Sequence, residues 1–359
     1  MPGTAEQDGD AKPADYGLTA ELAALRDTVR AFLAEACPPA ARRDAAPGDP
    51  ALWRRLAGEL GLVGLAVPEE YGGAGGGMIE LAVVCEELGR ALTPVPYLAT
   101  AVLAAHAARG DPRLAERLLP GIAAGSATAT VILDGSVTVR AGRLWGAGSY
   151  VLDGTHADVV LVPVRDGHVD RLYAVPGDAS GLGRRARPTL DRTRPLASLV
   201  FEGVAAEPYR PARGVETRDL AITALAAEQV GGAERCLEMA TDYAKARVQF
   251  GRPIGSFQAI KHKLADLLVS VESARSAARG AAWAADREPD RLPVAAAMAG
   301  SYCGEAFLRA AGENIQIHGG IGVTWEHDAH LYLRRATSSA QLFGTPAAHR
   351  ARLAPVLGL

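Results

Sequence analysis

Three long helical patterns in the last part of this sequence place the strongest constraint on its fold. Thr217–Arg247, Gln258–Ala285 and Val294–His318 each span roughly 25 to 31 residues, about twice the usual helix length in globular proteins. Helices this long are stabilised mainly by packing along one another. The pattern therefore predicts a four-helix bundle whose faces also meet other subunits.

The stretch before this bundle has a different residue pattern. Short β-branched or apolar runs recur at near-regular spacing, separated by Gly, Asp or Pro turns. These runs are Ala127–Leu133, Val137–Val139, Val151–Leu152, Val159–Val164, Arg171–Val175 and Leu196–Phe201. Such a series is typical of a small antiparallel barrel or sandwich.

The beginning of the chain is helical again. Leu22, Leu25, Val29 and Leu33 follow the spacing of one helical face within Leu18–Cys37,. Three further helices are predicted after a loop at Pro38–Pro50, and Pro120-Gly121 is expected to end the helical part. They are Trp53–Leu60 with Gly61 as its C-cap, Glu80–Leu92 and Tyr97–Arg109,.

The chain thus divides into a mobile leader at 1–17, an N-terminal helical domain at 18–120, a middle β domain at 121–213 and a C-terminal four-helix bundle at 214–359. The predicted fold is mainly α with a β middle domain. This order of elements does not alternate strand and helix, which argues against a parallel dinucleotide-binding sheet. Neither GxGxxG nor GxxxxGK[ST] occurs,.

Composition excludes several classes of protein. The net charge of −3 lacks the basic excess of a nucleic-acid-binding protein,. No apolar run reaches the roughly 20 residues of a membrane span, and Met1–Tyr16 does not resemble a secretory signal,. The four cysteines form no CxxC pair and the histidines no HxxxH pair, so no metal site is expected,. A cytoplasmic location follows as the expectation.

The first candidate site is the stretch Arg247-Val-Gln-Phe-Gly-Arg-Pro-Ile-Gly255, which joins two of the long helices. A guanidinium can hold a phosphate while a neighbouring aromatic ring stacks on a flat ligand. The alternative is an ordinary interhelix turn with a surface arginine.

The second candidate is Gln316-Ile-His-Gly-Gly-Ile-Gly322, which closes the last long helix. Closely spaced glycines let the backbone approach a ligand and leave N–H groups for an anion. The alternative is a helix C-cap in which His318 makes a local hydrogen bond. A third stretch, Leu342-Phe-Gly-Thr-Pro346, by itself predicts only a turn.

Together these segments resemble the signature segments of acyl-CoA dehydrogenases. They are RVQFGRPIGSFQ (247–258), QIHGGIGVTWEHDAHLYL (316–333) and VPEEYGG (67–73), with Glu86-Glu-Leu-Gly-Arg90 also fitting. The resemblance extends from about Leu18 to Leu353 and is most specific in the C-terminal third. It implies helical, β and four-helix-bundle domains in that order, FAD bound between the subunits of a dimer or tetramer, an acyl-CoA substrate, and an electron-accepting flavoprotein as partner.

The resemblance also implies roles for seven residues. Arg247 matches the arginine that reaches the FAD pyrophosphate of a neighbouring subunit, and Gln249 and Phe250 match residues contacting the same cofactor. Gln316, Gly319 and Gly320 match the segment along its adenosine-pyrophosphate half. Thr345 matches a threonine that meets the cofactor after the catalytic loop.

The two positions of the family's catalytic glutamate hold residues that cannot accept a proton. The loop position is Phe343, and the helix position is Ala221. Glu228 lies seven residues after Ala221, only about 20° from the same helical face but roughly 10 Å further along the axis. It is a candidate for a displaced base, with a buried or interfacial polar role as the alternative. No catalytic residue is assigned.

The β domain departs from the family pattern as well. Val131–Val137 lacks the glutamate-proline element, and Tyr150 stands where a tryptophan usually lies against the flavin ring. The chain therefore resembles the smaller subunit of two-subunit acyl-CoA dehydrogenases, known for bulky substrates such as steroid side chains, in which a partner would supply the glutamate. Two alternatives are a self-sufficient homo-oligomer using Glu228 and a non-catalytic binding or scaffold homologue.

Overall fold

A computed structural model describes residues 17–38, 49–166, 169–212 and 216–358. The predicted leader at 1–17, except Gly17, and most of the predicted loop at Pro38–Pro50 lie outside these ranges.

The N-terminal part is helical, as predicted. Thr19 caps the first helix by accepting the N–H of Leu22, and Asp49 caps the second by accepting the N–H groups of Ala51 and Leu52,. The segments are α1 (Ala20–Ala36), α2 (Pro50–Gly58), α3 (Met78–Ala91), a π-helix (Leu98–Ala104) that continues into α4 (Ala105–Ala108), and α5 (Pro112–Ala123).

Helix α5 continues past the predicted end at Pro120-Gly121. Proline removes only its own N–H from the helix, and the carbonyl of Pro120 still accepts the N–H of Ala124 at 3.0 Å. The turn away from the helix comes at Gly125, whose φ is +68°. Proline alone was therefore an incomplete stop signal.

The middle domain is a sandwich of two four-stranded sheets. Their orders are β1-β4-β5-β8 and β2-β3-β7-β6, and buried side chains from both sheets form one apolar cluster,. The strands are β1 (Ala129–Val131), β2 (Gly135–Arg140), β3 (Arg143–Leu152), β4 (Val159–Asp166), β5 (Val169–Pro176), β6 (Leu182–Arg187), β7 (Leu196–Ala205) and β8 (Glu207–Tyr209).

Two features of the sandwich differ from the prediction. Strands β1 and β4 pair in parallel, so the domain is not purely antiparallel. The two edge strands β6 and β8 were missed. Strand β6 is mostly exposed and its Arg184, Arg185 and Arg187 interrupt any apolar alternation, and β8 is only three residues long,.

The C-terminal part contains the predicted bundle. Helices α6 (Thr217–Ala246), α7 (Gln258–Arg287) and α8 (Leu292–His318) pack on one another, and α9 (Ala329–Ser339) packs against α6 and α8. A small hairpin of β9 (Val248–Gln249) and β10 (Arg252–Pro253) joins α6 to α7, and α10 (Pro346–Leu353) follows near the C-terminus. None of the described helices combines the length and the apolar character that crossing a bilayer requires.

Two glycines allow α3 of the N-terminal part to cross α6 of the bundle closely. A Cβ at Gly89 would lie 2.0 Å from the carbonyl oxygen of Glu228, and one at Gly231 would lie 1.7 Å from that of Glu86. No side chain fits at either crossing point. The N-terminal helices and the bundle consequently share a tightly packed boundary.

Candidate functional site

The first candidate stretch forms a two-residue β-hairpin at the end of α6. Gln249 pairs with Arg252, and the loop residues Phe250 and Gly251 have φ values of +51° and +77°. Two positive φ angles in a two-residue loop are typical of the type I′ turn, which favours Asn-Gly. A phenylalanine in this conformation costs roughly 1–2 kcal/mol.

Phe250, whose backbone is strained, is 92% exposed. It is the most exposed large apolar residue in the described part of the chain. Its one ring contact there is an edge-on approach to Phe257, with centroids 6.2 Å apart. The guanidinium of Arg252 lies 4.1 Å from the Phe257 ring and supports the base of the hairpin. The hairpin therefore presents an aromatic ring away from the chain itself, which suits a contact with another molecule.

Arg247 stands where α6 ends and is exposed. Its backbone N–H donates to the carbonyl of Tyr243 at 2.8 Å, which fixes the start of the hairpin. Among the described residues, its guanidinium has no hydrogen-bond or ion-pair partner. The nearby Gln249 side chain donates to the carbonyl of Val248 at 2.8 Å. The guanidinium of Arg247 is thus available to an anion.

The second candidate stretch follows the end of α8. Gln316, Gly319 and Gly320 are exposed, and Gly319 has a φ of +64° that favours glycine,. A Cβ at Gly320 would meet nothing within 4 Å, and its φ lies outside the left-handed region. Packing within the described chain therefore does not require glycine at 320. Close approach by a ligand or another subunit gives a physical reason for it.

The two stretches meet through an aromatic stack. The rings of Tyr243 and His318 lie 4.3 Å apart between centroids, and Ala244 and Ile317 share one buried apolar cluster. Six predicted site residues consequently lie at one end of the bundle. They are Arg247, Gln249, Phe250, Gln316, Gly319 and Gly320.

Thr345, the seventh predicted site residue, does not lie at this end of the bundle. It caps α10 by accepting the N–H of Ala348 at 3.1 Å. Its neighbourhood is the early part of α6, because a Cβ at Gly300 would meet His349 of α10 and Ile222 of α6, each at 2.8 Å. Ile222 and Tyr243 are separated by roughly 30 Å along the axis of α6, at 1.5 Å per residue. Within one chain, Thr345 is not brought to the other six residues.

Both positions of the family's catalytic base are buried and apolar. Phe343 is 7% exposed and Ala221 fully buried, and both belong to the apolar cluster that includes the N-terminal helices. Phe343 also has a φ of +63°, a strained value for an aromatic residue,. Neither position offers a group that can take a proton.

Glu228 is buried in an ion-pair network between the β domain and the bundle. Arg194, from the loop before β7, donates to its carboxylate, and a guanidinium nitrogen of Arg335 lies 3.9 Å from it. Arg335 also pairs with Asp191. Burial would raise the pKa of Asp191, but Arg335 and Arg194 hold it below its usual value. Glu228 therefore has local charged partners, as the polar alternative expected.

Neither this network nor the carboxyl of Asp153 beside it was predicted from the sequence. Burial, with a contribution from Glu228, raises the pKa of Asp153 to about 7, although Arg194 acts in the opposite direction. One signal was present in the sequence: Arg335 follows Leu331 by four residues and so shares the inward face of α9,.

Tyr150, at the position expected for the family's tryptophan, is 55% exposed with a φ of +54°. The guanidinium of Arg187 lies 4.8 Å from its ring centroid. An aromatic ring is therefore present at this place, but it is covered by an arginine from an edge strand. Within the described ranges, no three His, Cys, Asp or Glu side chains are grouped so that they could bind a metal ion.

Comparison with known proteins identifies the family. Residues 19–126 match the N-terminal domain of acyl-CoA dehydrogenases, and residues 221–358 match their C-terminal domain. The acyl-CoA dehydrogenase IpdE2 of Mycobacterium tuberculosis is 42% identical over 329 residues, which cover 90% of this chain and 92% of that protein.

Two solved structures are also similar. The ChsE4-ChsE5 complex from Mycobacterium tuberculosis matches with a TM-score of 0.89 and 31% identity, over 96% of this chain and 99% of that one. The Tcur3481-Tcur3483 steroid acyl-CoA dehydrogenase variant matches with a TM-score of 0.87 and 32% identity, over 94% and 98%. The chain belongs to the acyl-CoA dehydrogenase family, whose members are oxidoreductases acting on the CH–CH bond of acyl-CoA.

Proposed function

We propose that this chain takes part in FAD-dependent α,β-dehydrogenation of an acyl-CoA thioester as one subunit of a hetero-oligomer. In this proposal it completes a FAD site that it shares with a related subunit, and that subunit supplies the catalytic glutamate. The observation that carries the proposal is the contrast between the exposed Arg247 and Phe250 and the buried, apolar Phe343 and Ala221.

The residues at the Tyr243–His318 end fit an extended diphosphate cofactor. Arg247 offers the pyrophosphate a guanidinium that pairs with no described residue, and Phe250 offers a flat apolar surface,. The exposed Gln316 and the backbone at Gly319 and Gly320 offer further polar contacts without side-chain obstruction. FAD, when bound, accepts the hydride that leaves the β-carbon of the substrate.

These residues are all exposed on the chain that carries them, so they suit a cofactor held mainly by a partner. Thr345, about 30 Å away along α6, belongs to the other half-site of the same chain. In that second half the two positions of the family's base hold Phe343 and Ala221, and neither side chain can take a proton. One complete active site for each pair of different subunits follows from this arrangement.

The kind of partner and substrate is supported by relatives. The ChsE4-ChsE5 structure is described as a complex, and the Tcur3481-Tcur3483 protein as a steroid acyl-CoA dehydrogenase. We infer that this chain pairs with a related acyl-CoA dehydrogenase subunit and that the substrate has a bulky, steroid-like acyl chain. An electron-accepting flavoprotein would reoxidise the flavin.

The two alternatives have less support. A base must be able to take a proton from the substrate, whereas the carboxylate of Glu228 accepts from Arg194 and has Arg335 at 3.9 Å. A scaffold role without flavin gives no physical reason for a phenylalanine at 250 that is both strained and exposed.

Co-expression with candidate partner subunits tests the proposal. We expect the isolated chain to carry little FAD and to lack dehydrogenase activity, and the co-purified complex to carry about one FAD per pair of subunits. A complex whose partner lacks its own loop glutamate should be inactive while retaining FAD. Full activity and stoichiometric FAD in the isolated chain would refute the proposal.

A further inference from the structure

A cavity of about 230 Å³ lies where α1, α3, α6 and α7 meet, away from the hairpin and the glycine-rich turn. Its lining is mostly apolar and includes Leu22, Ile79, Val83, Ala227, Ala282 and Trp283. An apolar cavity of about 150 Å³ holds benzene. This cavity therefore has room for a somewhat larger ring or for a short chain.

One charged side chain in the cavity wall has no hydrogen-bond acceptor among the described residues. Arg279 is 25% exposed and donates no hydrogen bond to any residue that the structure describes. Its closest carboxylate is that of Glu86, at 4.0 Å. Glu86 also lines the cavity, but its carboxylate already accepts a hydrogen bond from Arg275 at 3.0 Å. Burial lowers the pKa of Arg279, against the opposing charges of Glu86 and Glu272, and the charges of Arg275 and Arg26 act in the same direction as burial.

A half-buried guanidinium with unused donors favours an anion, and a carboxylate matches its geometry. An uncharged hydrocarbon would leave the hydrogen-bond donors of Arg279 without an acceptor. The apolar lining in turn favours a ligand whose remaining part is hydrocarbon. A carboxylate attached to a hydrocarbon meets both the need for an anion at Arg279 and the need for an apolar group against the lining.

We propose that this cavity binds a small apolar carboxylate. Its carboxylate accepts hydrogen bonds from Arg279, and its hydrocarbon part lies against Val83, Ala282 and Trp283. The site is separate from the proposed cofactor site, because Ala227, in its wall, lies roughly 24 Å along α6 from Tyr243.

Calorimetric titration of the full-length chain, together with any subunit that co-purifies, tests this proposal. Sodium octanoate is the probe, and octanamide is its uncharged counterpart of the same shape. We expect octanoate to bind at least tenfold more tightly than octanamide, as a charge-assisted hydrogen bond provides. Arg279→Gln should remove this preference while leaving octanamide binding unchanged, which also shows that the cavity of the variant is intact.

Two further variants complete the test. Leu22→Trp, which fills the cavity from α1, should weaken both ligands, whereas Arg309→Gln, at an exposed position of α8, should change neither. Equal affinities for octanoate and octanamide, an unaltered preference in Arg279→Gln, or no octanoate binding at millimolar concentration would each overturn the proposal. FAD content, measured in parallel, should not change in any of these variants, so failure here is distinct from failure of the shared-cofactor proposal.

Discussion

The ring of Tyr243 stacks on that of His318, with centroids 4.3 Å apart, and so joins the end of α6 to the end of α8. His318 is itself fixed, because its Nδ1 lies 2.8 Å from the carbonyl oxygen of Asn314. Burial lowers the pKa of His318, which favours the neutral ring at physiological pH. Together with the apolar cluster of Ala244 and Ile317, this contact holds the Arg247 hairpin next to the glycine-rich turn.

The turn position of Phe250 leads to the first prediction. Phe250→Asn places a residue that tolerates left-handed backbone before Gly251 and removes a side chain that is 92% exposed. We expect the isolated chain to gain about 1 kcal/mol in unfolding free energy, while the complex loses affinity for FAD. Thermal unfolding and flavin titration measure the two effects. A loss of stability instead would mean that the ring packs within its own chain.

The second prediction concerns Arg247 and again separates an effect on FAD affinity from an effect on the stability of the chain. Its side chain has no partner among the described residues, so Arg247→Ala should alter the stability of the chain by no more than about 0.5 kcal/mol. The complex should bind FAD roughly ten- to a hundredfold more weakly, the value of a charge-assisted contact to phosphate. Arg247→Lys should recover part of this affinity, since it restores the charge but not the bidentate geometry. Unchanged flavin affinity in Arg247→Ala would exclude the assigned role.

Features that depend on local patterns could be predicted from the sequence, whereas contacts between distant segments could not. The long helices were predicted within a few residues because their apolar periodicity is local. The Arg194–Glu228–Arg335 network was not predictable, because its members come from three distant segments. Strand β6 was missed because only its pairing with β7, and no apolar pattern of its own, makes it a strand. The left-handed backbone of Phe250 contradicts the ordinary preference of phenylalanine, as often occurs at functional positions.

Glu228 yields a third prediction, which separates a structural from a catalytic role. Glu228→Gln leaves the buried Arg194 without its carboxylate, so the chain should lose about 3 kcal/mol of unfolding free energy. Turnover per folded complex should persist. A relocated base predicts the opposite, namely lost turnover with FAD retained and little change in stability. Urea unfolding and steady-state assays on the same preparation decide between the two.

The fourth prediction concerns pH and follows from Asp153, whose pKa is raised to about 7 by burial, with Glu228 adding to the shift. In the unfolded chain an aspartate titrates near pH 4. Between these values the folded state keeps a proton that the unfolded state has lost, so this group lowers stability as pH rises from about 4 to 7. Asp153→Asn should remove this decline and make the protein more stable at pH 8, because an amide stays neutral there and asparagine also tolerates the residue's φ of +53°,. Unfolding free energies measured at several pH values for both proteins test this. Parallel curves for wild type and variant would show that Asp153 ionises normally in the folded chain.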